Sequence, residues 1–281
     1  MPVLVPVTVD EAMTALSRHP DGQLLAGGTD FMVEVNAGGR RPDSVVALDR
    51  VAELRDWSAS GTRLKLGAGV TYRDLMLPEL ARLVPALAMA ARTVGSPQIR
   101  NTGTIGGNVA TASPAGDTLP VLIALDATVE VVGTDKRRRV ALADLIVGPK
   151  RTTLQTGELI ASVEVPILRG GQEYLKVGVR NAMVIAVASL ALIADLDGRT
   201  VRCGLGSVGP VPLRAPEAEA WLAGQVDWGA GRITDATASQ FGEMVAEAVR
   251  PIDDHRSTAA YRRRAVEVMA QRAAARIFSR A

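Results

Sequence analysis

The first candidate ligand-binding segment of this chain offers exposed backbone groups rather than acidic or basic side chains. The segment reads LLAGGTDF and spans residues 24–31, after an apolar run and before a helix-like one. Unpaired backbone N–H groups and the positive end of a helix dipole would converge there. Such a place suits an anion, and pyrophosphate fits that description.

A second glycine-rich segment reads TGTIGGN. Gly103, Gly106 and Gly107 lack side chains, so a ligand could lie against the main chain, while Thr104 and Asn108 add a hydroxyl and an amide. Each glycine segment alone is more typical of a tight turn than of a site. Two of them in adjacent domains predict a shared crevice.

Reactive side chains are sparse. The one cysteine, Cys203, excludes an intramolecular disulfide and any cluster or zinc held by thiolates of this chain alone. At a strand end it is more typical of a small buried hydrophobe than of a nucleophile. His19 and His255 stand in polar, turn-like settings and are expected at the surface rather than as a metal pair.

The charge balance also limits the functions open to the chain. With 32 basic and 30 acidic side chains the net charge is +2, which gives no overall field to attract nucleic acid. The basic run at 136–139 predicts a solvated hairpin tip. The start of the sequence predicts neither a signal peptide nor a membrane span, so cytoplasm is the expected location.

A third glycine pattern, GLGSVG at 204–209, matches the dinucleotide-binding fingerprint in its spacing. That fingerprint needs a helix to begin at its last glycine. Pro210 and Pro212 impose an extended path instead, and the helical pattern begins only around Pro216. We therefore expect no nucleotide site here.

The elements that must position these segments form an α+β chain with α/β parts. Thr8 and Glu11 make a capping-box pattern at the start of a helix, and the first glycine segment joins a strand to a helix with Thr29 as its N-cap. Short alternating strands dominate the middle, and Asp197-Gly198 predicts a hairpin further on. We expect three domains, over 1–55, 56–170 and 171–281.

The sequence as a whole resembles a known family, the FAD-binding medium subunits of molybdenum hydroxylases, which include aerobic carbon monoxide dehydrogenase and bacterial xanthine dehydrogenase. The segments that carry the resemblance, in order, are LLAGGTDF, IRNTGTIGGNVATASPAGDTLP, GELIASVEVP, YLKVGVRNAMVIAVASLAL, GSVGPVPLRAPEAEAWLAG and DDHRSTAAYRRRAVEVMAQRA. They cover essentially the whole chain. The double glycine followed by Asp117, nine positions after Asn108, is the most specific of these features.

The resemblance implies a fold of the vanillyl-alcohol-oxidase (PCMH) type in the first two domains, with FAD extended between them, and a C-terminal domain with an antiparallel sheet and helices. Asp117 would bond a sugar or ribityl hydroxyl and Lys176 would place positive charge near the flavin, unless Asp117 is a helix N-cap and Lys176 a surface strand residue. The positions implied to contact FAD are Leu24, Leu25, Ala26, Gly27, Gly28, Thr29, Asp30, Phe31, Val94, Gly103, Thr104, Ile105, Gly106, Gly107, Asn108, Asp117, Ile160 and Lys176.

The resemblance also implies partners: a small subunit with two-iron clusters and a large molybdopterin subunit, in a dimer of heterotrimers. In such a complex the chain would pair electrons on FAD for a terminal acceptor, with no catalytic residue and no metal of its own. Some relatives carry an aromatic or a carboxylate beside the flavin where this chain has Met183, Val184 and Ile185. A self-contained flavin oxidase and a non-enzymatic nucleotide-sensing module remain as alternatives.

Overall fold

A small parallel sheet opens the chain. The structure, a computed structural model, describes residues 2–39, 41–134 and 136–280. The sheet has strand order β1-β3-β2 and is flanked by two helices. Its elements are β1 (Val3–Leu4), α1 (Val9–Arg18), β2 (Gln23–Leu25), α2 (Phe31–Asn36) and β3 (Val45–Ala47).

The sequence predicts the N-cap of α1 correctly but not that of α2. The Thr8 hydroxyl accepts a hydrogen bond from the backbone N–H of Glu11, as expected at the start of α1. Thr29 is not the N-cap of α2, and that prediction was wrong. Asp30 occupies the cap position but makes no capping bond, because its carboxylate accepts instead from the Thr111 hydroxyl at 3.1 Å.

A five-stranded antiparallel sheet of order β4-β5-β10-β6-β7 forms the middle of the molecule. Proline at the start of α4 and of α5 divides the helical run into separate helices. The elements are β4 (Trp57–Ser60), β5 (Arg63–Gly67), α3 (Tyr72–Leu75), α4 (Pro78–Leu83), α5 (Pro85–Thr93), α6 (Pro97–Thr102), α7 (Ile105–Thr111), α8 (Leu119–Ala124), β6 (Thr128–Val132), β7 (Arg137–Ala141), α9 (Leu142–Leu145), β8 (Ile146–Gly148), β9 (Arg151–Thr152) and β10 (Leu159–Pro166).

A four-stranded antiparallel sheet in the order β11-β12-β13-β14 and three long helices complete the fold. The turn at Asp197-Gly198 joins two of its strands, and no helix begins at Gly209, so both predictions are confirmed. The elements are β11 (Gln172–Val177), β12 (Ala188–Asp195), β13 (Thr200–Gly206), β14 (Leu213–Arg214), α10 (Pro216–Gln225), β15 (Arg232–Ile233), α11 (Asp235–Ala248), α12 (Ala259–Ile277) and β16 (Ser279–Arg280).

Two cores hold these layers together. One lies between α10–α12 and one face of the C-terminal sheet, and Cys203 is fully buried in it, where burial raises the pKa of its thiol. The other core fills the first two units and also takes in Tyr174, Ala191 and Ile193 from the C-terminal sheet. That sheet therefore packs on both faces. The boundaries expected at 55 and 170 stay predictions. Within the described residues, no helix is long and apolar enough to cross a membrane.

A buried arginine pins α12 to the ends of the C-terminal strands. The Arg262 side chain is 4% exposed and donates to the carbonyls of Val187 and Ser207, each at 2.8 Å. It also donates to Asp254 Oδ1 at 2.7 Å. Burial opposes ionisation of Asp254, but bonds from the N–H groups of Arg256 and Ser257 and from Arg262 outweigh it and lower its pKa to about 2.

We expect Asp254→Asn to lower the free energy of unfolding by about 2 kcal/mol at pH 7, because it removes a charged partner of a buried guanidinium. The native pKa lies below that of an unfolded Asp, so this stabilisation is complete above about pH 5 and is lost as the pH falls towards 2. Urea unfolding of both proteins between pH 7 and pH 3 measures the difference. In the control Asp197→Asn, which removes an exposed ion pair with Arg169, the change should stay below about 0.5 kcal/mol; equal losses in the two variants would contradict the prediction.

Candidate functional site

A cavity with a volume of about 940 Å³ lies between the parallel sheet and the five-stranded sheet. Both glycine-rich segments reach it, so the predicted shared crevice exists. It is large enough for a ligand of cofactor size. The expected contact residues that line it are Leu24, Leu25, Ala26, Gly27, Gly28, Thr29, Asp30, Phe31, Thr104, Gly106, Gly107, Asn108 and Ile160.

The two glycine segments meet by direct contact of main chain with main chain. A Cβ atom at Gly27 would overlap the carbonyl oxygen of Thr102, so only glycine permits this approach. Gly28 follows with a φ of +73°, in the left-handed region that favours glycine. The first segment therefore lies against the second with no side chain between them at this point.

The first segment carries free backbone donors. The N–H groups of Gly27, Gly28, Thr29 and Asp30 form no hydrogen bond within the described part of the chain. They precede α2, whose N-terminal end adds a positive partial charge. A phosphate oxygen could accept bonds from this turn without displacing any existing partner.

The second segment is a helix N-terminus rather than a bare loop, because Thr104 caps α7. The N–H of Ile105 donates to Val70 and that of Gly106 to Ala68, each at 2.9 Å, and the N–H of Gly107 donates to the Thr104 hydroxyl. These three backbone donors are thus already used. What it offers a ligand is space, above all at Gly107, where an added Cβ would meet only Thr104 Oγ1 at 3.0 Å.

Gly106 has no side chain, so α7 can pack closely against the five-stranded sheet. A Cβ there would overlap Ala68, which follows β5. This glycine thus brings α7 onto the five-stranded sheet and sets the depth of the cavity wall.

Polar cross-links hold the two sides of the cavity in place. The Thr111 hydroxyl on α7 donates to Asp30 Oδ2, and Lys150 Nζ lies 3.1 Å from Glu34 Oε1 on α2. The N–H of Lys150 also donates to the carbonyl of Ala112 at the end of α7. These bonds join α2, α7 and the turn before β9 across the cavity.

Five of the expected contact residues do not line the cavity. Ile105 is fully buried in the core, and Gly103 packs against the Tyr72 ring. Val94 is partly buried and its carbonyl accepts from Arg100. The remaining two, Asp117 and Lys176, form a buried pair. The assignment of all five as cofactor contacts stays a prediction.

That buried pair belongs to a small polar cluster. Lys176 Nζ lies 2.9 Å from Asp117 Oδ2 and 3.1 Å from the carbonyl of Thr93, and the Tyr174 hydroxyl donates to Asp117 Oδ1 at 3.1 Å. The Lys176 and Asp117 side chains are 6% and 9% exposed. Burial raises the pKa of Asp117, an effect that the charge of Lys176 opposes. Asp117 is not the helix N-cap, which is Thr118, and Lys176 is not a surface residue.

Several residues that line the cavity were not predicted from the sequence, among them Tyr72, Arg55 and Lys150. Tyr72 is 5% exposed, and its burial together with the charges of Asp117 and Asp30 raises its pKa, so it stays a hydrogen-bond donor. The capping box of Thr71 and Asp74 locates the start of α3. Nothing in that local pattern reveals that α3 lies beside a cavity. The second glycine segment, which lines the same cavity, begins about 30 residues further along the chain.

The cavity fits the FAD that the family resemblance implies. It offers a turn of four free backbone donors for a pyrophosphate, two cationic side chains at its rim and an extended glycine-lined wall. The described residues contain no group of three or more His, Cys, Asp or Glu side chains that could hold a metal ion. The arrangement can therefore bind and orient an anionic cofactor.

Comparison with known proteins agrees with this fit. The family model described as "FAD binding domain in molybdopterin dehydrogenase" matches residues 1–168, and that of the "CO dehydrogenase flavoprotein C-terminal domain" matches 173–277. The glyceraldehyde dehydrogenase medium chain of Sulfolobus acidocaldarius is 32% identical over 95% of this chain and 94% of its own length. The nicotine 6-hydroxylase medium subunit of Paenarthrobacter nicotinovorans is 30% identical, with 95% and 93% covered.

Solved structures give the same result for the fold. A chain of quinoline 2-oxidoreductase from Pseudomonas putida 86 superposes with a TM-score of 0.90 at 27% identity, covering 99% of this chain and 96% of that one. A chain of carbon monoxide dehydrogenase from Hydrogenophaga pseudoflava gives a TM-score of 0.89 at 29% identity, with 99% and 98% covered. The fold class and the family resemblance are confirmed. The chain therefore belongs to the FAD-binding domain family of the molybdopterin dehydrogenases and is an oxidoreductase flavoprotein.

Proposed function

We propose that this chain is the electron-transfer subunit of a cytoplasmic molybdenum hydroxylase, which takes electrons from two-iron clusters of a small subunit and passes them to a terminal acceptor. A large molybdopterin subunit would oxidise the substrate, and the complex would be a dimer of heterotrimers. The observation that carries the proposal is a cavity lined both by residues 27–30, whose amides are free, and by the glycines at the start of α7.

Different residues of the chain would bind different parts of the cofactor. The free N–H groups of the first segment would bind the pyrophosphate, and Arg55 and Lys150 at the cavity would balance its charge. Gly107 would leave room for the ligand against α7. Asp117 and Lys176 would act near the flavin end, where a positive charge favours a reduced, anionic ring. When bound, FAD supplies the redox chemistry, exchanging electrons one or two at a time.

The side chains of the chain favour electron transfer over substrate oxidation. Cys203 is fully buried, and the described residues form no metal-binding group of His, Cys, Asp and Glu. A hydroxylation needs an oxygen donor and a two-electron sink, and partner subunits would bring the metal centre for both. Relatives named as medium chains or medium subunits support this division of labour.

The chain should bind one FAD without a covalent bond. Cys203 is buried in the other core, away from the cavity, and neither histidine is among the residues that line it. Acid precipitation should therefore release all the flavin, and chromatography of the supernatant should identify FAD. A yellow pellet, or FMN in the supernatant, would contradict the proposal.

Gly107→Val should weaken FAD binding by roughly 10- to 100-fold, since the two added methyl groups would occupy ligand space. The matched control is Gly224→Val, at an exposed helical glycine where an added Cβ meets nothing within 4 Å. Fluorescence titration of the two apoproteins measures the dissociation constants. If the two substitutions weaken binding equally, the second segment does not line the flavin site.

The isolated chain should pass electrons from dithionite to a dye but should oxidise no purine, aldehyde, N-heterocycle or carbon monoxide. Adding the iron–sulfur and molybdenum subunits should allow such a substrate to bleach the FAD absorbance. The measurement is stopped-flow absorbance with and without those subunits. Turnover by the lone polypeptide, shown by mass spectrometry to be free of other subunits, would favour the self-contained oxidase.

A further inference from the structure

The segment 204–209 has the glycine spacing of a nucleotide-binding fingerprint, but its glycines have a structural role instead. Gly204 and Gly206 lie on β13, facing the first turn of α8. A Cβ at Gly204 would overlap the carbonyl oxygen of Pro120, and a Cβ at Gly206 would lie 2.7 Å from Pro120 Cγ. The two glycines form a flat surface on the sheet against which Pro120 packs.

The same face of the C-terminal sheet carries the polar cluster. Lys176 on β11 pairs with Ser189 on β12, which pairs with Gly206 on β13. Two residues further along each strand, Tyr174, Ala191 and Gly204 form the next row. Because residues two apart on a strand share a face, both rows face α8 and the turn before it.

Asp117 depends on this packing for its position. It stands three residues before Pro120, in the turn that leads into α8, and Pro120 and Thr118 are themselves buried. The hydrogen bonds from Tyr174 and Lys176 reach Asp117 from the sheet. The distance between Pro120 and the two glycines therefore determines how well the Asp117 carboxylate accepts hydrogen bonds from its two partners on the sheet.

We propose that Gly204 and Gly206 are positioning residues of the flavin site, which act by seating Pro120 so that Asp117 and Lys176 face the cofactor correctly. This rests on the proposed function, in which those two side chains act near the flavin end of FAD. A side chain at either glycine would lift α8 and pull Asp117 away from Lys176. The effect would reach the flavin without any contact between the glycines and the cofactor.

Gly206→Ala tests this with the full-length chain. Its Cβ would also lie 2.5 Å from Ser189 Oγ, but a serine hydroxyl can turn away, whereas the Pro120 ring is rigid. We expect the FAD dissociation constant to rise about tenfold, since one charged hydrogen bond is misaligned. The reduction potential of the bound flavin should rise, because Asp117 then neutralises less of the positive charge of Lys176, and positive charge favours the reduced, anionic ring.

The matched control comes from the same segment. The three atoms nearest to an added Cβ in Gly209→Ala all belong to the Leu213 side chain, the nearest at 2.6 Å. This variant should leave both the dissociation constant and the potential unchanged. A compensating change, Pro120→Ala, removes the ring atoms that Gly206→Ala meets. The double variant should bind FAD within about twofold of Pro120→Ala alone, because the two residues act as a unit.

Each outcome decides the matter. A wild-type affinity and potential in Gly206→Ala would overturn the proposal, as would equal changes in Gly209→Ala, since these would show only a general loss of stability. If Gly206→Ala does not fold, the double variant takes its place, and its failure to bind FAD would also overturn the proposal. If the wild-type chain binds no FAD, both this inference and the proposed function fail. Normal binding by wild type and Gly206→Ala alike overturns this inference alone.

Discussion

The contact between Gly27 and the Thr102 carbonyl is the constraint on which the rest of the site depends. A single methyl group at position 27 would overlap that oxygen and push the parallel sheet away from α6 and α7. The cavity would widen, and the bond between Asp30 and Thr111 would break. A proper fit to an extended cofactor thus requires main chain to touch main chain, which only glycine allows.

The two glycine segments also differ in whether their backbone N–H groups are free. They look alike in sequence, yet the N–H groups of 27–30 are free, while those of 105–107 are bound to Val70, Ala68 and Thr104. The positive end of α7 therefore acts on a ligand through its field and its shape rather than through hydrogen bonds. The first segment would hold the charged pyrophosphate, and the second would leave room for the rest of the cofactor.

Features with a local cause were predictable from the sequence, and those with a distant cause were not. The cap at Thr8, the hairpin at Asp197-Gly198 and the exclusion of a helix at Gly209 each follow from a few neighbouring residues, and all three are confirmed. The cap expected at Thr29 failed because Asp30 is engaged by a residue 81 positions away. Tyr72 and Lys150 line the cavity but lie outside the sequence segments that pointed to a site, so they were missed.

The buried pair of Asp117 and Lys176 joins the C-terminal sheet to the turn that precedes α8. Two opposite charges that are 9% and 6% exposed are stable only if their partners are placed accurately, because each has lost its hydration. A loop alone would not supply that accuracy. The C-terminal sheet supplies it through paired strands, which hold Lys176 and Tyr174 in register, and through a helix seated on its glycines. The rigidity of the paired strands thus fixes the position of Asp117 in the turn before α8.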